Sequence, residues 1–195
     1  MFKRNQIQKS LVVAGVTLAS FAAFSQQNET TTASVTVQNA FTLTEVAALS
    51  FGTITANVVS GTDGTLTVNP DGTQGQPAGG IRVLVPGTAA SYTIAGAAPF
   101  TDLKINTNVD TVDLINSAAP PGSPQFTLSA FQVTDGTVTE SINSGASAFT
   151  AGDFQTDVGG TLTVGLGGTL TLPGGPAELL IDGNYEGNFT ITVSY

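Results

Sequence analysis

Gly159-Gly160-Thr161-Leu162-Thr163-Val164-Gly165-Leu166-Gly167-Gly168-Thr169-Leu170-Thr171-Leu172 sets its Leu and Val residues at even positions and its threonines at odd ones. A two-residue period marks a strand with one face on a core and the other toward solvent. Gly167-Gly168 leaves the chain path open. A two-residue Gly-Gly hairpin would set Leu166 opposite Thr169 and mix the two faces, so it conflicts with the pattern. A hairpin with an odd-numbered loop would pair Val164 with Leu170 and Leu162 with Leu172. One strand kinked at the glycines would bury the same set. The stretch is β by either route.

The same period recurs on both sides. At the C-terminus Phe189, Ile191, Val193 and Tyr195 alternate with Asn188, Thr190, Thr192 and Ser194. Near the N-terminus Ala33, Val35, Val37, Phe41 and Leu43 share odd phase, with Asn39 the one break. Further candidate strands fall at 41–44, 48–54, 65–69, 81–85, 91–95 and 126–134, and the stretch 104–114 has room for one edge strand. Asp63-Gly64, Asn69-Pro70-Asp71-Gly72, Pro86-Gly87, Asp135-Gly136 and Pro173-Gly174 punctuate them as turns. No helical period follows residue 25. Many short strands that must hide an apolar face predict an all-β sandwich. Its core is expected to contain Phe41, Leu49, Phe51, Leu66, Val68, Val83, Val85, Leu162, Val164, Leu170, Phe189, Ile191 and Val193.

Before the first strand, Met1-Phe2-Lys3-Arg4 and Lys9 precede an apolar run from Leu11 to Phe24. The run is shorter than the roughly 20 residues of a spanning helix and ends in small residues, as a secretory leader does. The expected organisation is a leader over 1–25, an N-terminal arm or first strand over 26–40, and a sandwich domain over 41–195. Beyond the leader no membrane span is expected, and the product is placed in the periplasm, on the outer surface or outside the cell.

Charge and composition then exclude several functions. After the leader only Arg82 and Lys104 stand against 14 acidic residues, a balance that repels nucleic acid. The chain has no Cys and no His. That removes thiol nucleophiles, Ser-His-Asp triads and the usual zinc or copper ligand sets. The closest acidic pairs, Asp110 with Asp113, Asp153 with Asp157 and Glu178 with Asp182, read as solvated turn residues rather than a catalytic dyad. No Asp-x-Asp-x-Asp-Gly calcium loop is present. With no Trp, flat platforms for sugars are scarce. The expectation is therefore no enzyme, no catalytic or metal residue and no cofactor.

Ala48-Leu49-Ser50-Phe51-Gly52-Thr53-Ile54, then Gly64-Thr65-Leu66-Thr67-Val68-Asn69-Pro70-Asp71-Gly72-Thr73, and the closing Gly183-Asn184-Tyr185-Glu186-Gly187-Asn188-Phe189-Thr190-Ile191-Thr192-Val193-Ser194-Tyr195 resemble a secreted bacterial domain family of unknown function. The ending is also similar to the last strand of the spore-coat U and archaic chaperone–usher pilin group. That resemblance implies an immunoglobulin-like or pilin-like sandwich that is incomplete by one strand. An assembly chaperone, then the arm of the next subunit, supplies it. The implied function is an exported structural or adhesive subunit of an extracellular fibre, pilus-like filament or surface layer, with neighbouring copies and a periplasmic chaperone as partners. Ala33, Val35 and Val37 become candidate donor-strand residues, and Phe189, Ile191, Val193 and Tyr195 candidate acceptor residues. A monomeric exported envelope or matrix sandwich and a carbohydrate- or ligand-binding module are the alternatives.

Overall fold

The computed structural model describes residues 34–35, 40–145, 149–150 and 152–195. The leader, Ala33 and Val37 lie outside the described residues. All strands belong to the compact unit Gln38–Tyr195, and no helix occurs among the described residues. They are β1 (Thr42–Ala47), β2 (Thr53–Val58), β3 (Gly64–Val68), β4 (Ile81–Val85), β5 (Ala90–Ala95), β6 (Lys104–Thr107), β7 (Val112–Leu114), β8 (Phe126–Thr134), β9 (Thr139–Ser141), β10 (Leu162–Leu172), β11 (Glu178–Leu179) and β12 (Ile191–Ser194).

The Leu/Thr stretch is one strand, not a hairpin, and it is the centre of the fold. β10 lies in a seven-stranded antiparallel sheet of order β1-β5-β10-β8-β7, with β3 also on β10 and β9 on β8. Along one side of β10, Leu162–Leu166 pair with β5 and Gly168–Leu172 pair with β3, while β8 runs along the other. Where β5 gives way to β3, the chain leaves over the glycines. A Cβ on Gly165 would lie 2.0 Å from the Pro70 carbonyl oxygen, and one on Gly167 2.2 Å from that of Val68. Only glycine lets another backbone come that close. The face assignment holds throughout: Leu162, Val164, Leu166, Leu170 and Leu172 are buried. The outward threonines pair across strands, Thr67 and Thr169 sharing a hydroxyl hydrogen bond of 2.9 Å.

β8 stays in step with β10 through a bulge. Its register shifts between Gly167 and Thr169, and Ala130 takes a left-handed φ of 50°. The extra residue moves the buried face from Phe126 and Leu128 to Phe131 and Val133.

Two small sheets, β11-β2-β4 and β12-β6, cover the inner face and complete an all-β sandwich. Under β6 and β12 lies the larger cluster, including Ile94, Leu103, Ile105, Phe131, Phe154 and Leu166. Val58, Leu66, Ile81, Phe126, Leu170 and Leu172 form the second cluster under β2 and β4.

Some expectations shift. The 48–54 strand begins only at Thr53, because Gly52 turns the chain at φ 76° and Ser50 forms an isolated bridge to Thr88. Leu49 and Phe51 still pack on the core. Val85, expected in the core, is exposed: a register shift between Thr53 and Ile54 breaks the alternation of β4 after Val83. Residues 104–114 hold two strands, β6 and β7, rather than one. The C-terminal strand is shorter than its alternation, at Ile191–Ser194.

The turn residues do their expected work. The Asp71 carboxylate accepts hydrogen bonds from the Thr73 hydroxyl and backbone N–H, which hold it below the usual carboxylate range. Because its pKa is lowered by folding, this turn's contribution to stability is complete above the carboxylate range and is lost as pH falls through it. Truncating Thr73 to Ala is therefore expected to bring the Asp71 carboxyl back toward its ordinary titration range, followed by its side-chain NMR shift against pH. An unchanged titration would show that Thr73 does not hold it.

Candidate strand-addition seam

Followed from one hydrogen bond to the next, the larger core is walled by consecutive strands. The wall runs β1, β5, β10, β8, then through the Ile142 N–H to the Phe131 carbonyl and the Thr107 N–H to the Asn143 carbonyl, reaching β6 and finally β12. There it stops. Among the described residues β12 has β6 as its sole strand partner, and β1 has β5. The seam between β1 and β12 is where a further strand would close the wall.

Local chemistry fixes what each side of the seam presents. The Asn108 N–H donates to the Thr190 carbonyl, and the Asn108 side-chain oxygen accepts from the Thr190 N–H at 2.7 Å. Thr190, Thr192 and Ser194 therefore turn their backbone groups toward β6, and antiparallel alternation turns those of Ile191 and Val193 away from it. The side chains of Phe189, Ile191 and Val193 are half-buried and pack on the larger core. Phe189 meets Phe131 with ring centroids 4.8 Å apart.

Across the seam, Leu43 pairs with the fully buried Ile94 and so takes the inner face, yet it remains 36% exposed. Glu45 follows on the same face, opposite Tyr92. Burial, then the Glu45 charge, raises the Tyr92 hydroxyl pKa. One end of the seam is closed by Phe41 and Tyr195, edge to face at 5.3 Å.

The structure thus brings all four candidate acceptor residues, Phe189, Ile191, Val193 and Tyr195, to this seam, although none is fully buried. Of the candidate donor residues, Ala33 and Val37 lie outside the described residues, and Val35 is 86% exposed. Leu43 was not legible as part of a site. Its phase says which face it takes and nothing about whether that face is covered.

Asp153 and Asp157 cap turns, whereas Asp113 lies on β7 opposite Thr127 and Asp110 ties its loop to a distant one. Asp110 accepts from the Ser144 N–H, Asp113 from the Thr127 hydroxyl and Asp153 from the Thr150 N–H. Asp157 accepts from the N–H groups of Gly159 and Thr161. Among the described residues no three potential metal ligands come together.

An all-β sandwich whose larger core is walled by strands that end, among the described residues, at β1 and β12 is the class these features define. Residues 41–195 match the sequence model of DUF4402, a domain of unknown function, and the chain belongs to that family. No curated protein and no solved structure matches it.

Proposed function

We propose that this protein is an exported structural subunit of an extracellular fibre, pilus-like filament or surface layer, and that residues 26–40 of one copy add a strand to the next. The observation that carries this reading is the wall that ends on β12 with outward-facing backbone groups at Ile191 and Val193. A peptide laid there gains main-chain hydrogen bonds along its length, so modest side chains suffice for attachment. The arm has that character: Ala33, Val35 and Val37 alternate with Ser34, Thr36 and Gln38, and Glu29 is its one charge. Beside β12 its apolar face would cover Leu43 and the flank of Ile191. The similarity of the closing motif to the pilin group supports the same arrangement, with a periplasmic chaperone guarding the edge before assembly. The basic, apolar leader supports export.

The chain starting at Gln26 is expected to form concentration-dependent oligomers in analytical ultracentrifugation. Deletion of residues 27–38 is expected to leave a folded monomer with nearly the same melting transition. Full-length protein that stays monomeric at high concentration, with amides 33–38 protected from hydrogen exchange, would instead make this segment an ordinary internal strand.

A further inference from the structure

β5 spans the height of the wall, and its ends define two poles. At one pole its last residue, Ala95, pairs with Thr42, and Ala40–Phe41 lie against Gly96. Here the loop from β5 to β6 carries Phe100, which is 64% exposed and has a left-handed φ of 53°. A bulky residue rarely adopts that conformation without a reason in the surroundings. The surroundings are the buried Thr156. Its hydroxyl donates to the Ala98 carbonyl and accepts from the Thr101 N–H, its carbonyl accepts from the Phe100 N–H, and its own N–H donates to the Thr101 carbonyl. The next turn is tied on by the Ala97 N–H to the Gly160 carbonyl, and it presents Val158, 76% exposed. A buried network thus holds an aromatic ring on a strained backbone in the open, where it contributes nothing to its own core.

At the other pole β5 begins at Ala90–Ser91, beside Ala47 at the end of β1. Val85, at the end of β4, pairs with Thr53, and the Gly52 turn packs on its carbonyl. This pole also exposes apolar side chains: Val46, Leu84 and Val85.

We infer that the Phe100–Val158 pole of one copy docks on the Val46–Leu84–Val85 pole of the next, with Phe100 as its anchor. This rests on the strand-addition reading, which it extends to a second contact. The partner is another copy because of where the arm leaves: Ala40 lies at the Phe100 pole, so a copy held by the arm is brought to that pole. Residues 26–39, at roughly 3.3 Å each, reach further than the five steps of β5, so the arm can pass the junction and follow the neighbour's wall. Contact between two different poles is heterologous and does not close on itself, which yields an open filament. Buried aromatic anchors are also the residues that dominate such contacts.

Phe100→Gly separates an interface role from a structural one, because glycine relieves the backbone strain while removing the ring. The expected result is a monomer that melts at the same temperature or higher, and association at least about tenfold weaker. Association equal to the wild type would overturn the anchor role. Placement of the poles is checked by mixing Val158→Cys chains with Leu84→Cys chains under oxidised glutathione, on a sequence with no other Cys. Mixed disulfide dimers should form well above either like pair; no such preference would overturn the pole contact. The same pairing repeated on chains lacking 27–38 distinguishes the two ideas. Loss of the crosslink there supports a contact that depends on the arm. Persistence of the crosslink upholds the pole contact and shows that it does not need the arm, leaving strand addition to stand or fall on the oligomerisation test above.

Discussion

A valine at Gly167 is expected to abolish the folded domain. Its Cβ would meet the Val68 carbonyl oxygen at 2.2 Å and two further backbone atoms, Asn69 C and Pro70 N, each at 2.6 Å. Backbone held in a ladder cannot swing aside as a side chain can, so relief requires β3 to separate from β10 and open the second core cluster. The loss should exceed about 4 kcal/mol, a large part of the roughly 5–15 kcal/mol that holds a domain together. Circular dichroism during a thermal melt checks it. The control is Gly175→Ala, whose new Cβ would touch only the Val58 side chain at an ordinary 3.5 Å. That variant should melt like the wild type. If Gly167→Val melted within a few degrees of it, the chain between β3 and the next segment would not cross β10 as described.

Phe131→Ala is expected to cost about 3–5 kcal/mol, the range for deleting a large buried aromatic. Phe131 is fully buried where β8 resumes after its bulge, and its ring is the inner partner of Phe189. Removing it leaves a cavity in the larger core and unseats the approach to β12. Denaturant unfolding should show a lower midpoint, and amides 189–194 should exchange faster than in the parent. Phe131→Leu should recover part of the loss because it refills much of the volume. A midpoint unchanged in Phe131→Ala would mean that the bulge does not turn this side chain inward.

The fold was legible where alternation and turn chemistry agree. Leu162 to Leu172 show their inner face in the bare sequence, and Asp71-Gly72 and Asp135-Gly136 form the turns their chemistry predicts. In those turns the aspartates accept backbone N–H groups and the glycines have positive φ. The choice between hairpin and single strand at Gly167-Gly168 was not legible. Both bury the same side chains, and what decides is a backbone nearly one hundred residues earlier lying on the glycines. Val85 misled because a bulge changes phase without changing composition. β6 and β7 were obscured by polar residues that end up buried or bonded, such as Thr107, whose hydroxyl donates to the Val109 carbonyl. The seam was half legible: the phase of Phe189, Ile191 and Val193 follows from sequence, and the lack of a strand beyond β12 among the described residues does not.

The central position of β10 also governs when the protein can exist at all. The strand that joins β3, β5 and β8 is made of residues 162–172, and the Thr67 and Thr169 hydroxyls it brings together are 102 residues apart. During synthesis, everything before it is a set of edges without a middle. Neither core cluster can close until β10 has emerged, and the wall waits further for β12. Sheets assembled from such distant pieces fold slowly, typically over milliseconds to seconds. Its apolar strands are therefore exposed together for the interval before the last segment arrives.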